Sequence, residues 1–199
     1  MTETKRNLTA LAEQIYQNNK EKGFWDEERN IGELFMLIIS EAAEALEAHR
    51  EGKFADLNTF LERVPPQTHT QDTDYAKSMF EAWFKNCIKD SFEDELSDVV
   101  IRVLDFVGSR GYDVAPIEAE EESSGNVGDM LCYLCELIID AKKQVCYSAS
   151  SLIDIEYSLY LVIDKCYSIA QKLNFDLDRH IELKLKYNST RPYKHGKKY

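Results

Sequence analysis

Apolar residues recur at spacings of three and four along almost the whole of this chain, and only eight glycines and four prolines interrupt them. A helix turns each residue by about 100°, so that spacing lines one face of a helix, whereas strands need an alternation that is scarce here. The chain is read as all-α, a helical bundle, with helices over 4–20, 30–51, 74–88, 92–110, 127–146, 150–173 and 177–189. Breaker chemistry falls in GFWDEERN (23–30) and RVPPQTHTQDTD (63–74), and AEEESSGN (119–126) is a charged, serine-rich connection. None is long enough to be an autonomous linker, so 1–199 is expected to be one domain.

Charge and cysteines narrow the partners. A net charge of −12 argues against a nucleic-acid polymer, whose backbone needs a positive field. The charge is uneven: from Lys184 to Tyr199 there are six basic residues and no acidic one, which leaves −18 on the rest. An acidic body with a basic tail suits a metal and a phosphate together; a solvated terminus is the plainer account. The start MTETKRNLTALAEQ has no basic region followed by an apolar one, and runs such as LFMLII are too short to span a membrane. With five cysteines and no secretory context, reduced thiols and a cytoplasmic location are expected.

The chain also echoes itself. Asn30-Ile31-Gly32-Glu33-Leu34 opens one apolar helix and Asn126-Val127-Gly128-Asp129-Met130 opens another. Gly111-Tyr112-Asp113-Val114 closes one helix as Asn174-Phe175-Asp176-Leu177 closes another. Segment 115–176 therefore reads either as a degenerate copy of the helix pair 30–51 and 92–110, or as a second hairpin of similar period.

Glu41 and Glu44 project from nearly one face of their helix, beside Leu34 and Leu37 and flanking the stripe Ile31, Phe35, Ile38, Ala42 and Ala45. In EDELSDVVIRVLDFV, Glu95, Asp98, Arg102 and Asp105 align in one polar strip backed by Val99, Val100, Val103, Leu104 and Val107. Carboxylates bordering a buried stripe are costly unless a cation or metal balances them. Two such helices facing one another offer the oxygen ligands that Mg²⁺ takes. A di-iron carboxylate bundle would need Glu-x-x-His, and none of His49, His69, His180 or His195 stands three residues after a glutamate. Cys132-x-x-Cys135 lacks the second pair or histidine cluster that zinc requires.

Three stretches, GFWDEERNIGELFMLIISEAAEALEAHREGK, FEDELSDVVIRVLDFVGSRGYDV and HIELKLKYNSTRPYKHGKK, together resemble the MazG-like all-α nucleoside triphosphate pyrophosphatases. That family carries an E-x-x-E helix followed by an E-x-x-D helix, matched here by Glu41, Glu44, Glu95 and Asp98. The resemblance implies Mg²⁺, with Mn²⁺ as a substitute, held by those four acids. It implies hydrolysis of nucleoside triphosphates, deoxynucleoside triphosphates foremost, to the monophosphate and pyrophosphate, in nucleotide-pool cleansing. A dimer or larger oligomer is implied as well, unless the second helix pair makes one chain its own pseudo-dimer.

Lys184, Asn188 and Arg191 fall on phosphate-contacting positions by the same resemblance, with Lys194, His195 and Lys197 as further candidates. Arginine's fork and lysine's point charge both suit polyphosphate, while the plainer role of Lys184 is a cation opposing a helix dipole. Trp25 and Phe24 either stack on a base or staple the bundle, and Asn30 either contacts substrate or caps its helix. The catalytic core is thus expected in 1–114 and 177–199, with 54–91 as an insertion and 115–176 as an extra helix pair. In that pair the acids have mostly gone: Glu136 is followed three residues on by Ile139, and Glu156 by Leu159. One metal site per chain is expected. The other class of reading is a catalytically retired helical protein that binds a partner or senses nucleotides.

Overall fold

The computed structural model describes residues 7–64, 74–119, 125–147 and 149–196, and among them every regular element is helical. The helices are α1 (Leu8–Glu21), α2 (Ile31–Arg50), α3 (Leu57–Arg63), α4 (Asp74–Cys87), α5 (Phe92–Arg110), α6 (Val127–Cys146), α7 (Leu152–Leu173) and α8 (Leu177–Thr190), followed by a 3₁₀ turn at Tyr193–Gly196. Seven of them match the periodicity closely. Positions 4–6 of the first expected helix lie outside the described residues, as do 65–73, 120–124 and 197–199 of the two expected connections and the tail. Asn7 is extended and its side chain accepts from the Ala10 N–H at 3.1 Å, so α1 starts after it. Helix α3 was not expected: Asp56 caps it by accepting from Thr59 N–H at 3.0 Å, and Phe60 anchors it.

Helix α5 is the axis of the fold. It packs against α1, α2, α7 and α8, while α2 meets α6 and α6 meets α7. Of its residues from Phe92 to Val107, only Asp98 and Arg102 are not buried. A helix enclosed on so many sides must carry apolar residues all round, and its buried polar groups then need partners. Gly108 allows the closest approach: a Cβ there would stand 2.3 Å from the Ala12 carbonyl oxygen of α1.

The two helix pairs share more than period. Asn30 caps α2 through Glu33 N–H, and Asn126 caps α6 through Gly128 and Asp129 N–H. Gly111 and Asn174 both end their helices in the left-handed conformation, at φ 66° and 60°. Matching caps and buried positions sets Leu34, Phe35, Ile38, Ala42 and Ala45 opposite Met130, Leu131, Leu134, Ile138 and Ala141. It likewise sets Leu96, Val99, Val100, Val103 and Val107 opposite Leu159, Val162, Ile163, Cys166 and Ala170. This register corrects the one drawn from Glu136 and Glu156. Leu137, Asp140, Ser158 and Leu161 occupy the places of Glu41, Glu44, Glu95 and Asp98. Equivalent helices touch, α2 with α6 and α5 with α7, so the four form one bundle within a single chain.

Segment 54–91 builds a second, smaller core. Phe60, Phe80, Phe84 and Ile88 pack with Leu183 and Tyr187 of α8, and the rings of Phe84 and Tyr187 stack at 4.4 Å. The segment's ends are tied together where Asp56 N–H donates to the Cys87 carbonyl at 2.8 Å and Phe92 N–H to that of Lys53 at 3.0 Å. The segment thus buttresses α8. Among the described residues, no helix is long and apolar enough to cross a membrane.

Candidate functional site

Helices α2, α5 and α8 converge on a cleft of about 310 Å³, closed at one end by the α1–α2 loop and at the other by Lys89 and Asp90. All four expected acids line it. One oxygen from each of Glu41, Glu95 and Asp98 lies within 4.8 Å of the others, while Glu44 stands exposed at the rim and outside that group. Only oxygen donors converge there, the set that a hard divalent cation such as Mg²⁺ takes. Glu95 is 4% exposed, and burial first, then the charge of Asp98, pushes its carboxyl up to about 9. A cation among these oxygens would favour the ionised form that burial and Asp98 disfavour. The residues present therefore fit a divalent ion.

Sequence order explains the crowding. Ser91 caps α5 by accepting from Asp94 N–H at 3.3 Å, so Glu93, Asp94 and Glu95 fill the first turn. There the positive end of the helix dipole favours anions. Glu93 turns away to accept from Ala55 N–H at 2.9 Å, holding the start of segment 54–91. Asp94, fully buried, accepts from Asp90 N–H at 3.0 Å.

Two cations already engage the acids. Arg102 donates from Nε to Glu41 at 2.6 Å and pairs with the same oxygen through Nη2. Lys184 of α8 sits with Nζ 2.7 Å from Asp94 and 2.7 Å from Asp98. Burial works against a charged Lys184, yet Asp98 and Asp94 outweigh it and hold its ammonium well above the usual lysine range. Lys184, expected to reach phosphate, lines the cleft and is a buried bridge between carboxylates of α5.

The other expected substrate contacts divide. Asn188 and Arg191 line the cleft, and the Asn188 Oδ1 is buried with no hydrogen-bond partner. Trp25 does not line it: the indole N–H donates to both oxygens of Asp105, and the ring meets Tyr16 edge-on at 5.5 Å. Its neighbour Phe24 faces the cleft. Asn30 is the α2 cap, accepting from Glu33 N–H at 3.2 Å. Lys194 lies in the 3₁₀ turn, away from the cleft, where its N–H donates to the Lys22 carbonyl at 2.9 Å. The side chains of His195 and Lys197 lie outside the described residues.

That turn straps the tail to the α1–α2 loop. Lys22 Nζ donates to the carbonyls of Ser189 and Arg191, at 3.0 and 2.6 Å, and Tyr193 bonds to Asp26 while its ring covers Gly23. Sequence reading missed Asp94, Asn19, Arg29, Lys89 and Asp90. Asp94 carried a signal, since it precedes Asp98 by one helical turn and shares its face. The remaining four sit at helix ends and in loops, where periodicity is silent. No family model, curated protein or solved structure matches the chain.

Proposed function

We propose that this chain is a MazG-like, Mg²⁺-dependent nucleoside triphosphate pyrophosphohydrolase, releasing a monophosphate and pyrophosphate. The observation that carries the reading is the convergence of Glu41, Glu95 and Asp98 from two helices in a cleft that also holds Arg191 and Lys89. Glu41, Glu95 and Asp98 would hold the ion, with Glu44 at the rim as a further ligand. Bound there, Mg²⁺ supplies charge neutralisation on phosphate oxygens and activation of water. Arg191 and Lys89 bind the triphosphate, Arg with its fork and Lys as a point charge. Glu44, exposed at the rim, would take the proton that the attacking water gives up. Arg102 and Lys184 orient Glu41 and Asp98.

A second reading, a retired helical protein that senses nucleotides or binds a partner, is favoured by those same two pairs. An ammonium on Asp98 and a guanidinium on Glu41 compete with a metal for its ligands. Pyrophosphate release across a panel of nucleoside triphosphates, with Mg²⁺ and then Mn²⁺, decides between them. Metal-dependent turnover of any member supports the enzyme; inertness across the panel sinks it.

A further inference from the structure

The end of the cleft away from Glu95 carries polar groups that hydrolysis leaves unused. Asp105 stands seven residues beyond Asp98 on α5, two turns or about 10 Å along the same face. That separation is the reach of a pentose and its α-phosphate. Its neighbours in the cleft wall are Asn19 from the end of α1, and Phe24 and Arg29 from the α1–α2 loop. The Asp105 carboxylate is buried and held in place: both oxygens accept from the Trp25 indole, at 3.1 and 3.2 Å, and the Asn19 side chain bonds to it as well. Arg29 attracts it and lies over the Trp25 ring at 5.8 Å. Two carboxylate oxygens offer about four lone-pair sites, so Asp105 retains acceptor capacity toward the cleft.

We propose that Asn19, Phe24, Arg29 and Asp105 form a nucleobase subsite that prefers an edge rich in N–H donors, guanine above all. The inference rests on the nucleotide reading of the cleft and names the substrate class within it. A carboxylate only accepts. Guanine presents N1–H and the 2-amino group side by side to such an acceptor, and its O6 to a cationic donor such as Arg29. Uracil and thymine set two carbonyl oxygens about one N–H, so a carbonyl faces the carboxylate and is repelled. Hypoxanthine keeps O6 and N1–H and lacks the amino group. Phe24 supplies the ring on which the base stacks.

Trp25, bonded to Asp105, is a built-in reporter. Its fluorescence would be followed in the Trp83→Phe chain, with Mg²⁺ present, as GMP, IMP and UMP are added; a monophosphate has no anhydride to hydrolyse. GMP is expected to bind about tenfold tighter than UMP, with IMP between them. Asp105→Asn keeps an acceptor for the indole but turns a donor toward the base, and should bring the GMP to UMP ratio below about twofold. Circular dichroism of that variant checks its fold, and Asn19→Ala, expected to weaken GMP more than UMP, provides a second reading of the same wall. Equal binding of the three nucleotides, no binding, tighter UMP, or a ratio that Asp105→Asn leaves unchanged would overturn the subsite and reduce Asp105 to a tie for Trp25. Pyrophosphate release is measured separately, so a chain that binds GMP selectively yet hydrolyses nothing sinks only the enzymatic reading.

Discussion

Lys184 of α8 places its ammonium between Asp94 and Asp98 of α5, 2.7 Å from each. A cation from the tail helix thereby balances two carboxylates of the central helix beside the candidate metal ligands. Asp94 is fully buried, so loss of the ammonium leaves its charge uncompensated inside the protein.

Lys184→Ala is therefore expected to destabilise the fold by about 3–5 kcal/mol, read from urea unfolding. Mg²⁺ should raise the melting temperature of Lys184→Ala by more than it raises that of the wild type, because the ion then relieves acids that no ammonium balances. An equal shift in both proteins would show that Mg²⁺ does not bind beside Asp98.

Glu41→Gln and Asp98→Asn should each abolish Mg²⁺-dependent pyrophosphate release while far-ultraviolet circular dichroism stays helical. Glu44 is exposed and stands outside the close carboxylate group. Glu44→Gln should accordingly lower kcat with a smaller loss of Mg²⁺ affinity than either of the others. Full turnover in Glu41→Gln or Asp98→Asn would remove the assignment.

One class of tight metal site per chain is expected, since Leu137, Asp140, Ser158 and Leu161 replace the four acids in the second helix pair. Asp140 is itself paired with Lys143 at 2.7 Å. Mn²⁺ binding followed by electron paramagnetic resonance should disappear in Asp98→Asn and persist in Asp140→Asn. Two equivalent sites would contradict the asymmetry.

Gly108→Ala should cost about 1–3 kcal/mol, because the new methyl would meet the Ala12 carbonyl oxygen at 2.3 Å and push α1 from α5. Thermal unfolding measures it. Gly125→Ala, whose added methyl meets nothing within 4 Å, is the control.

His180 gives a pH dependence with a definite sign. Burial pushes its imidazole from the ordinary 6.5 down to about 4, against the pull of Asp176. As pH falls from 6.5 toward 4, the unfolded chain takes up this proton and the folded chain does not, so stability declines across that window, by roughly 3 kcal/mol at most. Asp105 acts in the opposite sense: burial raises its carboxyl to about 6, so the folded state protonates first and its contribution grows as pH drops. The comparison is thus between wild type and His180→Phe, in urea at pH 7 and pH 4.5. The wild type should lose more stability than the variant, and parallel losses would rule out a neutral buried His180.

The sequence by itself determined seven of the eight described helices and the identity of the acids. Periodicity at three and four is local, and so are the caps at Asn30, Ser91, Asn126 and Asp176, whose side chains accept from N–H groups two or three residues on. Glu41, Glu44, Glu95 and Asp98 were legible for the same reason, since spacing on one helix fixes which face a carboxylate takes. Only the tertiary structure decided what those carboxylates meet. Lys184 reaches Asp94 across ninety positions of chain, and Arg102 reaches Glu41 across sixty-one. No local rule links such pairs. The fate of Trp25 was settled likewise by Asp105 from another helix, and that of Lys194 by Lys22. Segment 54–91 shows the division most plainly. Its helix α4 was legible, but its role as a prop for α8 exists only once Phe84 lies on Tyr187, because burial belongs to the packed chain rather than to any stretch of it.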